Sequence, residues 1–122
     1  MAYTVRTEHF EGPLEVLLSL IEKRKMHIGQ ISLAAVTDDF ISYVEKAEKF
    51  PLGESAHFVL IASTLLLIKS KSLLPTLELS EEEQGSMEDL EKRLRDYQRI
   101  KTLSLGLKKI FGQTPLFARE ES

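Results

Sequence analysis

Three histidines (His9, His27 and His57) and one adjacent acid pair (Asp38 and Asp39) have the side-chain types suited to metal binding or proton transfer. Their spacing supports neither use. A zinc site needs several ligands brought to one point, and no histidine stands three or four residues from another ligand-type residue in an arrangement that makes such a site. His57 and Glu54 share the start of an expected helix, where a surface or capping role accounts for both. Neighbouring residues on a helix diverge by about 100°, so Asp38 and Asp39 cannot act together as a carboxylate pair. Cysteine is absent (Cys 0), which removes thiolate nucleophiles, disulfides and thiolate metal ligands. There is no glycine-rich phosphate loop and no serine on a strand-to-helix elbow. The chain reads as a non-enzyme, with no catalytic, cofactor-binding or metal-binding residue assigned.

Cations are the second candidate chemistry. Lys23, Arg24 and Lys25 are consecutive, and Lys92, Arg93, Arg95, Arg99, Lys101, Lys108 and Lys109 crowd the last third of the chain. Phosphate contact is one reading of both clusters. The formal net charge is −3, however, whereas a dedicated nucleic-acid domain is clearly basic. Glu88, Asp89, Glu91 and Asp96 also offset the later cluster. The earlier one falls in the last turn of an expected helix, where cations suit the negative pole of the helix dipole. That reading is preferred.

Helices must carry these residues. A chain of 122 residues, 29% charged and 43% hydrophobic, has room for one small soluble domain and an appendage. Its N-terminus has no cationic stretch followed by an apolar one, so no secretory signal is expected. Residues 3–7, YTVRT, alternate apolar and polar and predict a short strand, either an extended arm or an edge offered to another protein. Gly12-Pro13 opens the first helix, because the missing N–H of proline costs nothing at the first helical position. A second helix is predicted with Ser32 as N-cap and with Ile31 and Val36 in the positions of a hydrophobic staple. Its buried face is Val36, Phe40, Tyr43, Val44 and Ala47. Pro51 and Gly53 then break the chain before a third helix over 54–73.

That third helix is apolar on every side. Phe58, Ile61, Leu65 and Ile68 cluster together; Leu60, Leu67 and Leu74 lie nearly opposite; Val59, Leu66 and Leu73 form a third side. A helix apolar all round must be buried all round. Its near-continuous apolar run, 58–68, is about half the roughly 20 residues of a membrane span, so a buried helix is expected and no membrane. The first two helices can shield only part of it, and a domain ending at Pro75 is small for a core of its own. Two covers remain open. One is self-association or a bundle closed by a later helix of this chain; the other is a dedicated helical partner.

Residues 78–88 are acidic, contain Gly85 and lack apolar periodicity, as a solvated linker does. A fourth helix is predicted over about 87–111, with Ser86 and Asp89 in capping-box spacing. Met87, Leu90, Leu94, Tyr97, Ile100, Leu103, Leu107 and Ile110 form its stripe, interrupted by Gly106 at a cost of about 1 kcal/mol relative to Ala. Such a narrow stripe suits a helix laid on another protein, and suits equally a helix folded back on the third. The expected fold is all-α: a small three-helix N-terminal domain with a short strand (1–75), an acidic linker (76–86), and a further helix within 87–122.

The stretches FEGPLEVLLSLIEKRKMHIGQISLAAVTDDFISYV and HFVLIASTLLLIKSKSLLP closely resemble the N-terminal domain of a bacterial kleisin family, segregation and condensation protein A. That family reads F-E-G-P-L-D-x-L-L-x-L-I and, later, A-T-L-L-x-I-K-S-x-x-L-L-P; residues 10–21 and 63–75 match almost position for position. The acidic linker and LEKRLRDYQRIK follow the family's layout too. Departures are His57 in place of an acidic residue, Glu15 in place of Asp, and MHIGQI in place of a more acidic segment, none of which alters the apolar pattern. Full-length members continue into a C-terminal winged-helix domain. The resemblance therefore implies that this chain, ending at Ser122, corresponds to the N-terminal domain and the start of the central region.

Members of the family bridge the two heads of a structural-maintenance-of-chromosomes ATPase dimer. Their N-terminal domain packs on the coiled-coil neck of one ATPase subunit, and their central segment binds a dimer of segregation and condensation protein B. The resemblance implies both partners for this chain, no cofactor, DNA reached only through the complex, and a cytoplasmic, nucleoid-associated place. Carried onto these residues, it assigns the neck contact to Leu60, Leu67, Lys71 and Leu74, on the side the first two helices cover least. The companion-protein contact falls to Leu90, Leu94, Tyr97 and Ile100. The alternatives are a DNA-binding helical module using residues 23–25 and the fourth helix, and a self-assembling bundle.

Overall fold

The computed structural model describes residues 12–46 and 52–112, and these form four helices: α1 (Pro13–Lys23), α2 (Gln30–Lys46), α3 (Leu52–Leu73) and α4 (Glu81–Gly112). Among the described residues there is no strand. The strand expected at 3–7 lies outside them, as does Ala47.

α1 begins as its sequence dictates, with Gly12 extended at the N-cap, Pro13 in the first helical position, and the Gly12 carbonyl accepting from the Val16 N–H. Its end is less ordinary. Arg24 is the C-cap and Lys25 turns into the left-handed region at φ 56. The Met26 N–H then donates to the Ile21 carbonyl and the Lys25 N–H to that of Glu22, at 3.2 and 3.0 Å. This pair of bonds is a Schellman closure, and Met26 packs on the core where the motif places its apolar contact.

α2 starts two residues before Ser32. The Gly29 carbonyl accepts from the Leu33 N–H, which makes Gly29 the N-cap. The Ser32 hydroxyl reaches back instead, accepting from the Gly29 N–H and donating to the Gly29 carbonyl, both at 3.0 Å. The staple positions move with it. Ile31 is 80% exposed, while Ile28 and Leu33 stand in the corresponding places and join the core.

α4 starts earlier than its apolar stripe. The Ser80 hydroxyl accepts from the Glu83 N–H at 3.0 Å, and the Glu83 carboxylate accepts from the Ser80 N–H at 2.9 Å. This is a complete capping box, so residues 81–86, expected as linker, are the first turns of the helix. The capping-box spacing at Ser86 and Asp89 lies inside it.

One core joins all four helices. Val16, Leu17, Leu18 and Ile21 come from α1, Leu33, Val36 and Phe40 from α2, and Phe58, Ile61, Leu65 and Ile68 from α3. Met87, Leu90 and Leu94 of α4 complete it, on the sides of α1 and α3 that α2 leaves open. The fourth helix of the chain is thus one of the covers that α3 requires. Phe58 stacks with Phe40 and Tyr43 at centroid distances of 5.9 and 6.2 Å, tying α3 to α2. The buried Thr37 hydroxyl donates to the Leu33 carbonyl at 2.8 Å, so it is satisfied within its own helix. Asp38 pairs with Lys69 of α3 and Asp39 with Arg24 at the end of α1, each at 2.9 Å. The adjacent acids diverge as expected and fasten α2 to two different neighbours.

Candidate partner-binding surfaces

Opposite its buried face, α3 carries an uncovered apolar stripe. Leu60 is 63% exposed, and Val59, Leu66, Leu73 and Leu74 are exposed as well. Two sides that the sequence separates form one surface here, because these five residues fall within about 140° of arc at 3.6 residues per turn. Ser63 lies among them, its hydroxyl satisfied by the Val59 carbonyl at 3.0 Å. The helical stretch Ser55–Leu73 is long and apolar enough to cross a membrane by length and composition, and is longer than the run 58–68 by itself. Of that stretch 28% is buried, against the core residues of α1, α2 and α4.

The residues expected at the neck contact therefore divide. Leu60 and Leu74 are on the open stripe. Leu67 is half-buried and packs on the core at the stripe's edge. Lys71 is half-buried beside the stripe, and its ammonium donates to the carbonyls of Pro75 and Leu77 at 2.9 and 2.7 Å, holding the turn between α3 and α4. Val59, Leu66 and Leu73 belong to the stripe and had no assignment, although their seven-residue spacing marks them as one row.

The stripe of α4 is really two stripes. From Tyr97 to Ile100 to Leu103 the steps are three residues each, and every such step falls about 60° short of a full turn. Met87, Leu90 and Leu94 face the core, with Tyr97 half-buried beside them. By Ile100, Leu103 and Leu107 the apolar face has swung by roughly 120° and points away from the bundle, and Ile100 is 62% exposed. Of the four residues assigned to the companion protein, Leu90 and Leu94 are 2% and 0% exposed inside the chain's own core, because the helix folds back. Ile100 remains on the surface, and Leu103 and Leu107 extend its row.

Beside that turn of α4 lies a groove of about 460 Å³ formed with the α1–α2 loop, lined by His27, Ile28, Arg95, Gln98, Arg99, Thr102 and Leu103. The Arg95 guanidinium donates to the Ile28 carbonyl at 3.0 Å, which seats the helix on the loop. Among the described residues, no group of three or more His, Asp or Glu side chains could hold a metal ion. His57 is exposed near the start of α3.

Residues 20–108 match the family model described as Segregation and condensation protein ScpA. The chain is 36% identical over 129 residues to segregation and condensation protein A of Brevibacillus brevis, covering 98% of this chain and 51% of that protein. The Streptococcus uberis protein of the same name is 40% identical over 104 residues, covering 84% of this chain and 44% of the relative. That of Caldanaerobacter subterraneus is 35% identical over 123 residues, covering 98% and 50%. The chain thus spans about half the length of the curated relatives it matches. No solved structure matches it. With 89 consecutive residues under the family model and this degree of identity along nearly its whole length, the chain belongs to the segregation and condensation protein A family.

Proposed function

We propose that this chain is the N-terminal part of a non-catalytic, kleisin-like subunit of a bacterial chromosome segregation and condensation complex, working in the cytoplasm at the nucleoid. One observation carries the reading: in a chain of this family, α3 presents an open apolar stripe along its length, opposite a well-filled core. An exposed row of large apolar side chains on a soluble domain marks an interaction site, and a helix lying along another helix covers such a row. The occupant is the coiled-coil neck of a structural-maintenance-of-chromosomes ATPase, which supplies the nucleotide chemistry. The full-length subunit bridges the ATPase heads. The contact runs over Leu60 and Leu74 with Val59, Leu66 and Leu73, and Leu67 borders it. The second partner, a dimer of segregation and condensation protein B, docks at Ile100 with Tyr97 at the margin; use of Leu90 or Leu94 requires α4 to leave its seat.

Capture of the chain on an immobilised neck and on the companion protein tests both contacts in parallel. The pair Leu60→Glu and Leu66→Glu should abolish neck capture with the far-ultraviolet circular dichroism spectrum unchanged. Ile100→Glu should weaken companion capture alone, at a cost of about 2 kcal/mol for a central anchor. Undiminished neck capture by the double variant removes the α3 assignment, and loss of helicity places those residues in the core instead.

A further inference from the structure

The groove between the α1–α2 loop and α4 gathers hydrogen-bond donors from two distant parts of the sequence. Arg95 and Arg99 stand one turn apart on α4, Gln98 and Thr102 fill the row between and beyond them, and His27 faces them from the loop. Lys25 precedes His27 by two residues, is exposed and stands just outside the lining, from which its long side chain can reach a ligand in the groove. Among the described residues the lining holds no carboxylate, in a chain whose formal net charge is −3. Glu91 binds Arg95 at 2.7 Å from one turn further back, so that guanidinium is anchored by Glu91 and by the Ile28 carbonyl. Arg99 is held loosely. Among the described residues its ion-pair partner is the Asp96 carboxylate at 3.9 Å, and its side chain is 72% exposed.

We propose that this groove binds the phosphate backbone of duplex DNA directly, with Arg99 and Lys25 as the principal phosphate contacts and His27, Gln98 and Thr102 as further donors. Every polar side chain in the lining offers a hydrogen-bond donor, and the row from Arg95 to Thr102 is about 10 Å long at 1.5 Å per residue. One DNA strand presents a phosphate about every 3.4 Å of helix axis while winding around that axis, so the straight row reaches about two of them, and Lys25 a third. An i, i+3, i+4, i+7 line of donors on one straight helix follows a regular row of anions. It reads charge and spacing and makes no demand on base sequence. The contact requires neither protein partner, since every residue in it belongs to this chain, and it stands apart from the α3 stripe.

Fluorescence anisotropy of the 122-residue chain with a labelled 30-base-pair duplex of arbitrary sequence tests the idea, titrated between 50 and 200 mM salt. The expected result is weak binding whose logarithm falls linearly with log salt at a slope near −2 to −3, about −0.9 per phosphate neutralised. Arg99→Gln and Lys25→Asn should each reduce the magnitude of that slope by about 0.9. Asparagine tolerates the left-handed turn at position 25, and circular dichroism confirms that each variant is folded. Lys46→Gln, at the far end of α2 roughly 25 Å from the loop, should leave the slope unchanged. Absence of binding at 50 mM salt, or folded Arg99 and Lys25 variants that keep the parent slope, overturns the proposal. So does an equal loss from Lys46→Gln, which would indicate diffuse attraction without a groove.

Discussion

At the scale of single residues, Lys25 is the side chain that sits worst in its backbone. Its φ of 56 closes the Schellman turn after α1, a conformation that a residue with a Cβ adopts at a cost of roughly 1 kcal/mol or more and glycine adopts freely. Lys25→Gly should therefore raise the free energy of unfolding by about 0.5–1 kcal/mol, after some loss to the greater freedom of glycine in the unfolded chain. A urea titration reads it as a higher midpoint at unchanged slope; a lowered midpoint would show that the lysine side chain holds the turn together. The sequence KRKM carries no sign of this closure, because the usual marker, glycine just past the helix end, is missing. The dipole argument nevertheless puts the cations at the correct place. It also accounts for Arg24, whose pairing with Asp39 at 2.9 Å joins the end of α1 to α2. Ser32 shows the opposite case. Its type marks a helix start, and it serves that start from the third helical position, where its hydroxyl grips Gly29.

At the scale of elements, α1 to α3 follow from spacing and α4 does not. The four core residues of α3 are the ones that a period of 3.6 places together, and the proline start of α1 is an unambiguous local signal. For α4, Ser80 and Glu83 spell a capping box that the surrounding glutamates obscure when acid content is taken to mean linker. The stripe misleads for another reason. A count of three-or-four spacings accepts consecutive steps of three, although these wind steadily off the original face. The outcome is a helix with two characters, packed over Met87, Leu90 and Leu94 and exposed from Thr102 onward. Eleven helical residues without tertiary support are marginal in water, and Gly106 weakens them by about 1 kcal/mol further. Hydrogen exchange of the isolated chain should therefore show residues 87–97 protected nearly to the level of global unfolding and residues 102–111 exchanging through low-energy local openings. Strong protection across 102–111 that rises with protein concentration would identify a second copy as the cover.

For the molecule as a whole, the decisive fact is that the four helices of the described residues pack together and still leave an apolar stripe of α3 bare. Leu94→Ala measures how far α4 belongs to the fold. As a fully buried core residue, its truncation should cost about 2–5 kcal/mol, a large share of the 5–15 kcal/mol typical of a domain. A change within about 0.5 kcal/mol, as expected for surface positions, would return Leu94 to the exterior. Whether the core closes on α4 could not be settled from composition, because the same apolar residues serve a fold-back and a partner equally well. Long-range packing decides it. The off-beat steps around Ile100 have one more consequence. α4 continues as a single helix through them, so it behaves as a keyed shaft: the bearing of its far face relative to the α3 stripe is stored as a residue count. One residue inserted between Tyr97 and Ile100 turns that face by about 100° and lengthens the shaft by only about 1.5 Å. Seven inserted residues lengthen it by roughly 10 Å and leave the bearing within about 20° of where it began. Bearing and reach of this helix can thus be set separately, by the number of residues inserted.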